Sequence, residues 1–453
     1  MSAPAARRSA ARTAAGGVRE RVRRARGATG PGAVAARAAL ETALLSRLLV
    51  AGTAIYASLA LTIDEGARQD LLPNGRPSPL LHPFSEGPFQ HVGELVFSPL
   101  ARWDAGWYLG LANGGYADGP GDVFFPLYPL LVWLLSGFAS TLGVLMVSAY
   151  AVSILAFTAA LYVFHRLVEL EVGRSYARPA LLLLAVFPGA LYFGAPYSES
   201  VFLLVSVGAF YAARTGHWAW AGVLAGAASG TRSVGLVLVV PLVILYLYGP
   251  REDRRPDGGG GWRPRYRLRP SILWIGLAPA GLVAFSVYLS IRIGDPFAWA
   301  SYQESFWGRS LGLPLEQVWT GTKAAGVAVR ELLTGFTNGP VTGHPFDYES
   351  LYAQNIVLFG FLVFAVVATV GAFRRLPLAY GAYALVALGL PLSYSTDIQP
   401  LLAFQRFASV AFPLFIWLAL ASEDRKLTSR VVAVSAVLLG LFTAQFATWH
   451  WFV

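Results

Sequence analysis

Apolar runs of about 20 residues recur along this chain, separated by short polar or charged segments. As helix, that length crosses the ~30 Å hydrocarbon core of a bilayer. In lipid, every backbone polar group must bond within its own segment or sheet, and the alternation of a β-barrel is missing, so helices remain. The pattern predicts an all-α polytopic membrane protein with about eleven transmembrane helices, in a range of about ten to thirteen. The expected spans are 43–63, 141–165, 179–195, 200–213, 218–231, 234–249, 271–293, 351–373, 377–394, 404–421 and 431–451. Segment 124–138 is amphipathic, Pro-rich and short for a span, and reads as an interfacial helix of the first outer loop. Residues 1–42 read as a basic, disordered tail preceding one membrane domain, 43–453.

Composition agrees with that division. The chain is 55% hydrophobic and 13% charged, whereas soluble domains carry about 25% charged residues. With no cysteine, disulfides, thiolate metal sites and cysteine nucleophiles are excluded. Lys323 and Lys426 are the two lysines of 35 basic residues. Together with the many Ala and Gly, this implies GC-rich, bacterial-style coding, and part of the +10 net charge follows from it.

The distribution of charge sets the expected orientation. Residues 1–42 hold nine Arg against Glu20 and Glu41, and the Arg/Gly-rich stretch 250–270 holds seven Arg against three acids, so both read as cytoplasmic. Segment 64–123 holds eight acids against Arg68, Arg76 and Arg102, and 294–350 holds six acids against three bases. Outer loops at about 64–140 and 294–350 follow, with the N-terminus inside and the protein multi-pass in the plasma membrane. The tail reads as a solvated orienting arm rather than a nucleic-acid surface, and is too long for a cleaved signal peptide. The Gly run 257–261 has no preceding strand and no GK[ST], so it is a flexible stretch rather than a phosphate loop.

The chemistry lies in ionisable residues at the outer ends of spans, where they are costly and mark a substrate path. Asp104 stands in Arg102-Trp103-Asp104-Ala105-Gly106-Trp107-Tyr108. Glu199 follows Tyr197 between two spans, Arg232 interrupts an apolar hairpin, and Gln405-Arg406 opens the tenth span. At a similar outer depth, these residues predict one pocket with two carboxylates and two guanidiniums. A guanidinium fork suits phosphate oxygens, and a carboxylate within hydrogen-bond reach of a hydroxyl can act as its general base. The combination suits group transfer from a lipid phosphate to a hydroxyl. Simpler roles stay open: Asp104 as a helix cap or partner of Arg102, Glu199 as a helix N-terminal charge, and Arg232 and Arg406 as anchors in headgroups. Asp118 and Asp122 flank Gly119-Pro120-Gly121 as turn residues. With Asp104 they offer oxygens to a divalent cation, but no spacing fixes such a site. His82, His91 and His344 are scattered.

Arg102-Trp103-Asp104 with Tyr108, Gly115-Tyr116 and Phe124-Phe125-Pro126-Leu127-Tyr128-Pro129-Leu130 resembles the first outer loop of the PIG-V-like mannosyltransferases. These are relatives of the second mannosyltransferase of GPI-anchor assembly. A second similar block runs from Pro188 through Tyr192-Phe193 and Ala195-Pro196-Tyr197-Ser198-Glu199-Ser200 to Phe202. Thr231-Arg232-Ser233-Val234-Gly235 resembles a third block, and Gln405-Arg406-Phe407 with Phe412-Pro413 a fourth. The resemblance implies a GT-C type fold with interfacial helices in the first outer loop, and an inverting transferase fed by polyprenyl-phospho-mannose. Asp104 would be the catalytic base. Arg102, Trp103, Tyr108, Tyr197, Glu199, Arg232, Gln405 and Arg406 would bind substrate, with the two arginines of the last blocks on the donor phosphate. The expected partners are the lipid-linked donor, membrane lipids and a glycolipid, glycan or protein acceptor. Neither cofactor nor divalent metal is expected. The rival reading is a transporter or flippase of lipid-linked sugars, which would more often place charge deep in the spans and pair Gly/Pro breaks between halves.

Overall fold

The computed structural model describes residues 30–62, 90–258, 261, 263–313, 315–335, 348–396 and 399–450. Residues 1–29 of the expected tail lie outside them, as do stretches of both expected outer loops that contain His82 and His344.

Four helices among the described residues are long and apolar enough to cross a membrane. They are α1 (Pro31–Ala60), α5 (Leu142–Val172), α13 (Tyr348–Arg375) and α17 (Thr428–Ala447). The chain is a multi-pass membrane protein. Helix α1 begins at Pro31, so residues 31–42 are helical rather than part of a disordered tail; Pro at the first turn needs no N–H partner and favours that start.

Two further expected spans are bent. The tight turn Pro270–Leu277 meets α10 (Ala280–Ile293) at 44°, and α15 (Phe404–Val410) meets α16 (Pro413–Asp424) at 78°. The other five expected spans contain shorter helices: α6 (Arg174–Ala185), α7 (Glu199–Arg214), α8 (Trp218–Thr231), α9 (Val239–Tyr248) and α14 (Leu378–Gly389). Pro188, Pro279, Pro391 and Pro413 stand at breaks, each lacking the N–H that a continuing helix needs.

Helix α5 packs on α1, α6 and α7, and α8 packs on α7 and α10. A Cβ at Gly226 of α8 would lie 2.8 Å from the Leu277 carbonyl oxygen, so the absent side chain sets the close approach of α8 to that turn. The core is aromatic: Phe210, Tyr380, Tyr383 and Phe412 interlock, and Phe187 meets Phe361, Phe364 and Phe415.

The described parts of the two expected outer loops touch each other, the Tyr302 hydroxyl donating to Asp118 and Trp307 Nε1 to the Pro120 carbonyl. The first contributes α2 (Gln90–Phe97), α3 (Ala105–Gly114) and α4 (Leu127–Leu135), the last lying within the expected interfacial segment. The second contributes α11 (Ala298–Ser305), β1 (Arg309–Leu311) and α12 (Glu316–Thr334). Strand β1 pairs antiparallel with β2 (Tyr394–Thr396), placing Arg309 opposite Thr396.

Candidate active site

Asp104 immediately precedes α3, at the end of a turn in which Trp103 has φ of 55°. A bulky residue rarely adopts that conformation, and it persists only where its surroundings enforce it. Here the Tyr197 hydroxyl donates to the Arg102 carbonyl at 2.8 Å, and Arg102 Nε donates to the Ala447 carbonyl at 3.3 Å. The Arg102 guanidinium lies 4.9 Å over the Trp449 ring, which also packs on Trp103. The start of α3 is thereby tied to α17 and to the loop before α7.

Four charged residues from four separate chain segments then meet. Arg406 of α15 donates through Nη1 to Asp104 Oδ2 at 2.6 Å, and through Nε to Glu199 Oε1 at 2.9 Å. Its Nη2 lies 2.8 Å from the same Glu199 oxygen. Arg232, just after α8, donates to Glu199 Oε1 at 2.5 Å. Glu199 is fully buried as the first residue of α7, where the helix dipole favours a carboxylate. The Arg406 guanidinium rests over Tyr192 and Tyr197, 4.9 Å from each ring, and Arg232 lies over Phe407.

The backbone shows why these segments converge. Ala403, at φ 61°, turns the chain into α15. A Cβ at Gly189 would lie 2.5 Å from the Gln405 carbonyl oxygen, so glycine lets the 188–193 turn press against α15. Tyr192 hydrogen-bonds the buried Gln405 side chain. Around them, the Tyr108 hydroxyl pairs with Ser198 at 2.8 Å, and Ser153 bridges Tyr128 to the Ala195 carbonyl.

Asp104, Arg232 and Arg406 open onto a cavity of about 760 Å³, a size suited to a substantial small-molecule ligand. Trp103 and Tyr108 line it too. The remaining expected binding residues sit elsewhere. Glu199, Tyr197, Arg102 and Gln405 are buried behind the wall and hold its lining groups in place. The two arginines expected to be open to phosphate are engaged by carboxylates. Asp104 pairs with Arg406 rather than with Arg102. Its Oδ1 takes no hydrogen bond from the described residues.

Several lining residues were not singled out from sequence: Arg309, Gln303, Glu304, Trp307 and Trp449. Trp107 stacks on Phe124 and meets Trp307 edge-on, giving an aromatic wall. Trp449 lies at the far end of the chain from Trp103, and nothing in its sequence neighbourhood marks it. Gly119-Pro120-Gly121 is a tight turn whose Asp122 accepts from the Gly119 N–H at 3.2 Å, and burial raises the Asp122 carboxyl above its usual range. Asp118 accepts instead from the Tyr302 hydroxyl of α11. No cluster of metal-ligating side chains occurs among the described residues.

Residues 72–248, which carry the Asp104, Glu199 and Arg232 segments, match the family described as Mannosyltransferase (PIG-V). This part of the chain is PIG-V-like. GPI alpha-1,6-mannosyltransferase 2 of Mus musculus is 31% identical over 160 residues, covering 33% of this chain and 32% of the mouse protein. The Cricetulus griseus protein of the same name is 33% identical over 155 residues, covering 32% and 31%. GPI mannosyltransferase 2 of Drosophila pseudoobscura pseudoobscura is 27% identical over 182 residues, covering 37% and 38%. The chain thus spans about a third of the length of the relatives it matches. Among solved structures, it is similar to the archaeal oligosaccharyltransferase AglB of Archaeoglobus fulgidus in complex with an inhibitory peptide and a dolichol-phosphate. The TM-score there is 0.40 at 13% identity, covering 90% of this chain and 56% of that one.

Proposed function

We propose that this protein is a GT-C type membrane mannosyltransferase. It moves a mannosyl residue from a polyprenyl-phosphate donor to an acceptor hydroxyl on the outer face of the plasma membrane. One observation carries the reading. A carboxylate, Asp104, opens onto a large cavity with one oxygen unengaged, within the region that matches the PIG-V mannosyltransferases.

In this mechanism the acceptor hydroxyl hydrogen-bonds to Asp104 Oδ1. Its oxygen attacks the anomeric carbon as its proton passes to the carboxylate. The carbon–oxygen bond to phosphate breaks, and the electron pair leaves with polyprenyl phosphate. A single displacement on a β-linked donor gives an α-linked product. Arg406 fixes the carboxylate through Oδ2 and leaves the other oxygen to the acceptor. The aromatic wall of Trp107, Phe124 and Trp307 offers ring faces for sugars, with Gln303 and Asn113 as polar partners. The acceptor is a glycolipid, glycan or protein of the cell envelope.

The donor assignment is tested with purified protein in lipid, given an envelope extract and one labelled donor at a time. Polyprenyl-phospho-mannose should label a product, whereas polyprenyl-phospho-glucose and a nucleotide-linked mannose should not. Equal labelling from the nucleotide sugar would overturn it.

A further inference from the structure

The cavity's cations are not equally available. Arg232 and Arg406 are balanced by Glu199 and Asp104 in one contiguous network, two guanidiniums against two carboxylates. Arg309 is different. It lines the same cavity half-buried, and its side chain makes no hydrogen bond or ion pair with the described residues. Glu304 also lines the cavity but is exposed to solvent, where screening weakens its pull.

We propose that Arg309 is the anchor for the phosphate of the lipid-linked donor, and that the β1–β2 pairing is the device that holds it over the cavity. The proposal rests on the transferase reading and adds a residue to it. The segment carrying Arg309 is fastened firmly for a loop. Ser310 and Ser395 hydroxyls bond at 2.7 Å across the strand pair, and the Gly312 N–H donates to the Ser393 carbonyl at 2.9 Å. The Leu315 N–H also donates to the Ser393 hydroxyl at 3.3 Å. A guanidinium on a fastened strand gives up little freedom when it binds, and its planar fork matches two phosphate oxygens.

Energetics favour an anionic occupant. Burial draws the Arg309 guanidinium down to about 10, against the pull of Asp104 in the opposite sense. An unpaired cation in that position is costly until an anion arrives. The phosphodiester of the donor carries one negative charge, and the leaving monoester approaches two. Attraction to Arg309 therefore grows as the glycosidic bond breaks, which lowers the barrier as well as the donor KM.

The test is binding of a short-chain polyprenyl monophosphate, with the matching polyprenol as neutral control, to protein in lipid nanodiscs. Wild type should prefer the phosphate. Arg309→Gln should lose at least about tenfold of that preference, and Arg309→Lys should keep part of it. In transfer assays, Arg309→Gln should raise the donor KM and lower kcat. An unchanged phosphate preference in Arg309→Gln, with Arg309→Lys folded and equally unchanged, overturns the proposal. That result would leave wild-type mannose transfer intact, whereas failure of the transferase reading would show as a wild type that binds the phosphate and transfers nothing.

Discussion

Replacing Glu199 with Gln tests the organisation of the site at its centre. One Glu199 oxygen receives both Arg232 and Arg406, and the side chain is fully buried. Gln preserves the volume and one acceptor oxygen but removes the negative charge. Two guanidiniums would then face Asp104 alone. Breaking a buried ion pair from one side costs about 3–5 kcal/mol, and the retained amide oxygen points to the lower end, about 3 kcal/mol. In a chain of this length that corresponds to a fall of about 3 °C in apparent Tm, read at a fixed scan rate in detergent. Arg406, released from Glu199, should also swing toward Asp104 and displace the carboxylate, costing about tenfold or more in kcat. Adding Arg232→Gln removes the excess charge, so the double variant should recover about 1–2 kcal/mol relative to Glu199→Gln alone. A Glu199→Gln protein within about 0.5 kcal/mol of wild type would refute the view that this carboxylate neutralises the two arginines.

Two smaller predictions follow from contacts around the site. Tyr197→Phe removes the 2.8 Å bond to the Arg102 carbonyl and should cost about 1 kcal/mol in thermal unfolding, with a measurable loss of kcat because the strained Trp103 turn loosens. Asp122 carries a carboxyl raised by burial, so the folded state holds its proton to higher pH than the unfolded chain does. Its ionisation therefore opposes folding above the carboxylate range, and the penalty fades as pH falls through the raised value. Asp122→Asn, whose amide oxygen can still accept from Gly119, should raise the apparent Tm at pH 7 and lose that advantage in acid; an advantage independent of pH would contradict the assignment.

Much of the architecture was readable because a bilayer imposes few solutions. Each expected span contains a helix, since apolar run length and helical periodicity report the same constraint. The convergence of Asp104, Glu199, Arg232 and Arg406 was also readable, because charge at the ends of apolar spans is expensive and must find partners. How they pair was not. A linear pattern gives depth but not azimuth, so Arg232 and Arg406 looked open to a phosphate when Glu199 and Asp104 already engage them. The bends carry prolines, yet an apolar run containing Pro279 or Pro413 does not say whether it kinks or stops. Arg309 and the β1–β2 pair were invisible for a different reason. The pairing joins short polar segments 85 residues apart, with no apolar alternation to betray a strand.

The direct test of the central claim is mannose transfer from polyprenyl-phospho-mannose by wild type and Asp104→Asn, each purified, folded and saturated with donor. General-base catalysis contributes about 10²–10⁴-fold. Asp104→Asn should therefore lose at least about 100-fold in kcat while still binding polyprenyl phosphate. An Asp104→Asn protein that transfers mannose at the wild-type rate would contradict the account.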